Sequence, residues 1–282
     1  MRKLALYLAL MLAPPAFADE PVELTFIANE GVLLEWRTHA VLIDSPASNS
    51  YDGTYSLPST EIVEAMVEQA PPFQRVSFIL STHIHGDHFD AATLSRMCNK
   101  LSSNGTLLGS NAAIDAYIVA GGHERCVIRP SGNEDECGFT GEPHCRAEYG
   151  ATLRVSGLGP EFGIDIDARP LFHREEIEHW TYRVEMGGVS VLHLGDTQPQ
   201  MADFSIWDGV DFDVILYPYW FLQMAEGVAF LEAHPEARTI AFHIPAAATD
   251  AEIMEALDGA EYLHTEGETR ILSAAPHTNA SE

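Results

Sequence analysis

Beyond the first eighteen positions, apolar residues recur with period two in short runs and with helical spacing in longer ones. Glu23 to Ile27 and Val32 to Glu35 alternate on either side of Asn29-Glu30-Gly31, and Ala40 to Ile43 forms a third apolar run that stops at Asp44. Alternation around a Gly-containing turn predicts an antiparallel meander. Ser45 to Ser59 is polar, rich in Ser, Asn, Tyr and Gly, and long enough to read as a functional loop. Thr60 to Ala70 then places Ile62, Val63, Met66 and Val67 at helical spacing before Pro71-Pro72 stops the pattern. Val76 to Leu80 reads as a buried strand, and the densest cluster of metal-ligand residue types in the chain follows it directly.

Downstream, Asp90 and Ser110 are placed to cap helices reaching about Ser103 and Gly121-Gly122. Strands are expected at Thr152 to Val155, Ile164 to Phe172, Thr181 to Glu185, Val189 to Leu194, Asp213 to Tyr217 and Thr239 to Phe242. Helices are expected from Met224 to Ala233 and from Thr249 or Asp250 to Gly259. The Cys- and Gly-containing segment Glu124 to Gly150 reads as an irregular surface insertion, and the residues from Ser273 as a flexible tail. No internal repeat is present. Strands dominate both halves with helices between them, which predicts one α/β domain over 19–272 built as a layered sandwich rather than a single parallel sheet.

The 282 residues are 46% hydrophobic and 20% charged, which fits a globular chain. Acidic residues outnumber basic ones 42 to 15, a formal charge of −27, so the long-range field disfavours nucleic acid and anionic membranes as partners. Arg2 and Lys3, the apolar run Leu4 to Ala13 and Ala16-Phe17-Ala18 together read as a signal peptide cut after Ala18. An apolar run of about ten residues falls short of the roughly 20 that span a bilayer. The expectation is a periplasmic or secreted chain with no stable membrane anchor once the signal is removed. Export makes Cys98, Cys126, Cys137 and Cys145 disulfide candidates with three possible full pairings, Cys137 with Cys145 being the nearest local pair. A metal knuckle within Cys126 to Cys145 is the rival reading, though it lacks the closely spaced pairs of structural zinc sites.

The run Thr82-His83-Ile84-His85-Gly86-Asp87-His88 holds three imidazoles and a carboxylate within six positions. On a chain leaving a strand, His83 and His85 point the same way, while Asp87 and His88 belong to the following turn. One short loop thus offers ligands to two adjacent metal ions, and zinc accepts both imidazole nitrogen and carboxylate oxygen. Three more candidates sit at strand ends: His173 after Phe172, Asp196 after Leu194 and His243 after Phe242. His179 beside Trp180 competes with His173 for its place, and His193 reads as a hydrogen-bonded core histidine.

The pattern H-x-H-x-D-H after a strand resembles that of the metallo-β-lactamase-fold hydrolases, and Leu42-Ile43-Asp44, the second His, Gly195-Asp196-Thr197 and the final His follow in the family's order. The resemblance implies a four-layer αβ/βα sandwich with two mixed β-sheets and a dinuclear site between them. It implies His83, His85 and His173 on one metal, Asp87, His88 and His243 on the other, and Asp196 bridging both. Two zinc ions are the implied cofactors, with iron or manganese as alternatives. A metal-bridging hydroxide would be the nucleophile and Asp87 the catalytic residue that orients it.

His88 is followed by Phe89-Asp90 rather than the Gly common in the lactamases proper, and Arg238 is the only Arg or Lys between Asp196 and His243. The chain therefore looks more like the branch containing ascorbate-phosphate lactonase and related hydrolases. Thr197 stands where quorum-quenching lactonases often carry Tyr. The expected function is hydrolysis of a small ester or lactone. The alternatives are a phosphodiesterase or phospholipase-like hydrolase of the same fold, and a non-hydrolytic iron oxidising enzyme or metal-binding module. His179, Trp180, Tyr217, Tyr219 and Trp220 are expected to line the substrate pocket, with Tyr51 and Tyr55 at its mouth.

Overall fold

The computed structural model describes residues 20–100, 106–129, 153–155 and 163–275. The expected signal peptide, Cys137 and Cys145, and the end of the chain after 275 lie outside the described residues.

Strands β1 (Val22–Ala28), β2 (Gly31–Trp36) and β3 (His39–Ile43) form the expected antiparallel meander. Helix α1 (Thr60–Glu68) starts where Ser59 Oγ accepts from the Ile62 N–H and ends at Gln69, whose φ of 53° breaks the helical repeat. Then β4 (Val76–Ser81), α2 (Ala91–Lys100), β5 (Thr106–Gly109), α3 (Asn111–Val119) and β6 (Val127–Ile128) extend the sheet in parallel from β3. Asp90 caps α2 and Ser110 caps α3, as their positions predicted.

The second sheet opens antiparallel with β7 (Leu153–Val155), β8 (Ile164–Pro170), β9 (Trp180–Met186) and β10 (Val189–His193). It continues in parallel through β11 (Val214–Pro218), α4 (Ala225–Glu232), β12 (Arg238–Phe242), α5 (Asp250–Ala256) and β13 (Glu261–Tyr262). A reciprocal capping box between Thr249 and Glu252 starts α5. Strand β14 (Thr269–Leu272) returns to the first sheet and pairs antiparallel with β1.

Period-two alternation sorts the strands into layers. Leu24, Val32, Leu34, Val41, Phe78 and Leu80 meet Val184, Val191, Val214, Leu216 and Ile240 between the sheets. Their alternates Leu33, Leu42 and Ile79 pack under α1 to α3, while Leu192, Ile215 and Ala241 pack with Ile253 of α5 and Phe230 of α4. Three apolar interfaces between four layers make the αβ/βα sandwich, and each fully buried Leu or Ile contributes roughly 1.5–3 kcal/mol.

The structure departs from expectation at the edges. Glu124 to Ile128, read as the start of an irregular insertion, instead forms a 3₁₀ turn and β6, because β5 presents an unpaired edge that even two residues can extend. Strands β13 and β14 carry too few apolar positions for their periodicity to show. The two described cysteines, Cys98 and Cys126, are free buried thiols packed together outside the first sheet.

Candidate metal centre

Four strands deliver the candidate ligands to one end of the sandwich. β4 runs into Thr82 and His83, β8 leads to His173, β10 to Asp196 and β12 to His243. The chain after His83 folds back on itself, with the His88 and Phe89 N–H groups donating to the His85 carbonyl at 3.0 and 2.9 Å. This turn sends Asp87 and His88 inward beside His83. Gly86 permits the docking of the 45–59 loop: a Cβ there would lie 2.6 Å from Asn49 Cβ, and the Gly86 carbonyl accepts from the Ser48 and Asn49 N–H groups.

The seven expected ligands converge in two groups. His83, His85, His173 and Asp196 each place a donor atom within 4.8 Å of the others, and so do Asp87, His88 and His243. Asp196 touches both groups: its Oδ2 is 3.7 Å from both His83 Nε2 and His173 Nε2, while its Oδ1 is 2.9 Å from His243 Nε2 and 3.5 Å from His88 Nε2. His83 Nε2 and His85 Nδ1 face each other at 2.8 Å. Buried atoms without a hydrogen-bond partner concentrate here, including the Nε2 atoms of His88, His173 and His243 and Asp196 Oδ1. Buried polar atoms are rarely left unpaired. A shared carboxylate flanked by inward-facing imidazole nitrogens is the donor chemistry of a divalent-metal site.

The backs of these ligands are held as well. Asp44 accepts from the Thr82 N–H and Oγ1–H at 2.7 Å each and lies 3.0 Å from His88 Nδ1, while Thr82 Oγ1 lies 3.0 Å from His83 Nδ1. His173 Nδ1 faces the Asp196 carbonyl at 2.8 Å. Asn29, Asp44 and His243, with φ of 52°, 47° and 58°, all adopt the left-handed backbone that non-glycine residues avoid. Strain of this kind collects where a fold over-determines a site. Replacing Asp44 with Asn is expected to weaken metal binding by about 10–100-fold, as read by competition with a chromophoric chelator. An unchanged affinity would show that the Asp44 contact is passive.

Charge divides the two groups. Burial, aided by neighbouring imidazoles, lowers the pKa of His83, His85 and His173, leaving them neutral with lone pairs available. Burial acts the same way on His88 and His243, but Asp196 and other nearby carboxylates outweigh it and raise both. Burial opposes ionisation of Asp87, yet its contacts with His243 and His88 prevail and hold it well below the ordinary carboxylate range. The field that favours a proton on His88 and His243 equally favours a divalent cation beside them.

No family model and no curated protein matches the sequence. Solved structures do. The isothiocyanate hydrolase from Delia radicum gut bacteria is 14% identical, with a TM-score of 0.60 over 89% of this chain and 100% of that one. A possible metal-dependent hydrolase from Veillonella parvula is 16% identical, with a TM-score of 0.59 over 90% of this chain and 100% of that one. The metallo-β-lactamase-fold protein YhfI from Bacillus subtilis is 14% identical, with a TM-score of 0.55 over 89% of this chain and 99% of that one. The chain has the metallo-β-lactamase fold.

In this metallo-β-lactamase fold the ligand cluster floors a cavity of about 640 Å³. His85, Asp87, His173, Asp196 and His243 line it, joined by Tyr51, Thr54 and Tyr55 from the 45–59 loop and by Arg174, Gln198, Trp220 and Met224. Of the five expected pocket residues only Trp220 lines it. Its ring stands 5.0 Å from that of His243, and its Nε1–H donates to the Thr197 carbonyl.

The other four are corrections. Trp180 is fully buried between the sheets and donates to Glu178 Oε1. Tyr217 alternates to the opposite, helix-covered face of β11 and joins the outer core. Tyr219 packs edge-on against Trp220, outside the cavity lining. His179 is fully buried behind His83 and His173, its Nδ1–H donating to the Leu171 carbonyl at 3.1 Å, and burial lowers its pKa to about 3. It is His173, not His179, that joins the ligand group. His193 is the core histidine its position predicted: its Nε2–H donates to the Glu30 carbonyl at 3.0 Å.

Sequence reasoning did not single out Asn29, Glu30, Arg174, Gln198 or Met224 for the site. Position next to His173 was the one available signal for Arg174. Tyr55, expected at the mouth, lies over His243 at 4.2 Å between ring centroids; burial and the charges of Asp196 and Asp87 push its pKa up to about 12. It therefore keeps its phenol proton and is available as a donor.

Proposed function

We propose that this chain is an exported, dinuclear zinc-dependent hydrolase acting on a small ester or lactone. The observation that carries the reading is Asp196, placed with one oxygen toward each of two imidazole groups at the floor of a cavity. His83, His85 and His173 would hold one ion, Asp87, His88 and His243 the other, and Asp196 both. When bound, such a pair supplies Lewis acidity and a water whose pKa falls from 15.7 toward 7.

The chain's own residues do the rest. Asp87 is ionised and steadied by Asn29 Nδ2, which donates to its Oδ2 at 3.2 Å. It can accept a hydrogen bond from the attacking water and align it with the scissile carbon. Tyr55 presents a phenol proton to the oxygen on which charge develops, and Tyr51 and Trp220 present apolar surface to the acyl group. The cavity suits a small molecule, and no described helix is long and apolar enough to cross a membrane.

One observation favours a second reading, phosphodiester cleavage. Arg174 is the one arginine or lysine lining the cavity, and it forms no ion pair with a described residue although Glu175, Glu176 and Glu178 follow it closely. A guanidinium without an ion pair among the described residues, set beside such a centre, would bind a phosphoryl or carboxylate oxygen.

Elemental analysis, combined with hydrolysis of generic ester, lactone and bis-p-nitrophenyl phosphate substrates on one sample, tests both readings. Close to two zinc ions per chain with chelator-sensitive acyl hydrolysis is the expected result. Iron in place of zinc, or no turnover, would overturn it. Activity on the phosphodiester alone would select the second reading, and Arg174→Ala should then raise KM for that substrate by about tenfold, the equivalent of one charge-assisted hydrogen bond.

A further inference from the structure

Glu30 has no role in the site described so far, yet it is 0% exposed and neither of its carboxylate oxygens has a hydrogen-bond partner. It occupies the tight turn between β1 and β2, at the end of the sandwich where the ligands collect. The turn is pinned from several sides. His193 Nε2–H donates to the Glu30 carbonyl, the His243 N–H donates to the Asn29 carbonyl at 3.1 Å, and the Asn29 side chain donates to Asp87. Burial, with the nearby charge of Asp196, raises the pKa of Glu30 well above the ordinary carboxylate range, so its ionised form is costly here unless a cation lies near it.

Its surroundings identify the cation. Glu30 Oε2 lies 3.4 Å from His88 Nδ1, the same nitrogen that Asp44 Oδ2 approaches at 3.0 Å. Glu30 also places an oxygen within 4.8 Å of donor atoms on both Asp196 and His243. It thus borders His88, His243 and Asp196 together, and it forms no ion pair with His83, His85 or His173. No described arginine or lysine pairs with it.

We propose that Glu30 is a positioning residue for the second metal alone. Asp44 Oδ2, 3.0 Å from His88 Nδ1, fixes the ring so that Nε2 faces inward; Glu30 flanks the same nitrogen at 3.4 Å, and its charge beside His88, His243 and Asp196 strengthens the hold of that pocket on a divalent cation. A carboxylate behind a metal-bound imidazole raises the basicity of the ligand, and loss of such a partner typically lowers affinity or activity 10–100-fold. The asymmetry is the distinctive consequence: among the described residues, the His83, His85 and His173 group has no counterpart to Glu30. This inference rests on the dinuclear reading above.

The test is metal titration of the full-length mature chain, wild type and Glu30→Gln side by side. Zinc affinity is read by chelator competition and ligand geometry by the visible spectrum of the cobalt-substituted protein. Wild type is expected to bind two ions. Glu30→Gln keeps the side-chain shape and is expected to hold the first ion unchanged, to bind the second about 10–100-fold more weakly, and to show an altered cobalt band for the second equivalent only. Glu30→Asp, which keeps the charge but draws it back, should fall between the two and serves as the second variant should Glu30→Gln fail to fold, as judged by circular dichroism. Unchanged second-site affinity and spectrum in a folded variant, or equal weakening of both sites, would overturn the assignment to Glu30. Fewer than two ions on the wild type would instead overturn the dinuclear reading, so the two failures are told apart.

Discussion

Asp87→Ala is expected to lower hydrolysis by a factor on the order of 10²–10⁴, the usual contribution of a group that handles the reacting proton. Asp87 is positioned for this: it lies 3.5 Å from His88 Nε2 and from His243 Nε2, accepts from Asn29, and lines the cavity. The substitution should leave the fold in place, because Asp87 lies in the loop after β4 and makes no sheet hydrogen bond. Circular dichroism of the variant should therefore stay close to wild type while turnover collapses, and any fall in its thermal midpoint should not exceed the roughly 10 °C expected for loss of metal. Turnover within a few-fold of wild type would remove Asp87 from the mechanism.

Chelation should produce the second large effect, on stability as well as activity. Glu30, Asp44, Asp87 and Asp196 are all buried around His88 and His243, with no arginine or lysine among them. A divalent cation offsets that concentration of negative charge, and it binds the folded chain rather than the unfolded one. Ligand present at about 1,000 times its Kd stabilises by about 4 kcal/mol. For a chain of this size each kcal/mol moves the midpoint by about 2–4 °C. Removing metal with dipicolinate is thus expected to abolish turnover and lower the melting temperature by roughly 10 °C, and adding zinc should restore both. A chelated sample, verified metal-free by elemental analysis, that keeps its melting temperature and activity would contradict the assignment of these residues to a metal.

Most strands were legible because runs such as Val32 to Glu35 and Val76 to Leu80 express burial on one or both faces of a strand, a local property, whereas their division into two sheets was implied by the family resemblance. β13 and β14 were not: Glu261-Tyr262 and Thr269 to Leu272 become strands only because β12 and β1 present open edges to them. The pocket shows the same division. Trp220 was found from its position after a strand, whereas Tyr217, three residues earlier, was misplaced because the direction of a side chain depends on which face of β11 meets the helices. Trp180 was misplaced for a related reason, since an aromatic residue at a strand start can equally be the core between sheets.

The sequence alone marked most strands and helices of an α/β chain and the run His83 to His88, because both depend on spacings within a few residues; the four-layer arrangement was implied by the family resemblance. It also marked His173, Asp196 and His243 as strand-end candidates. Only the tertiary structure decided that these strands end at one place, that Asp196 lies between two imidazole groups, and that His173 rather than His179 completes the first. Only the tertiary structure brought Glu30, more than fifty residues from the nearest ligand in the chain, to the back of His88, and placed Arg174 at the cavity wall without an ion pair to any described residue. Distances between residues far apart in the chain are set by how sheets stack and where turns are pinned. No local pattern of hydrophobic and polar positions carries that information.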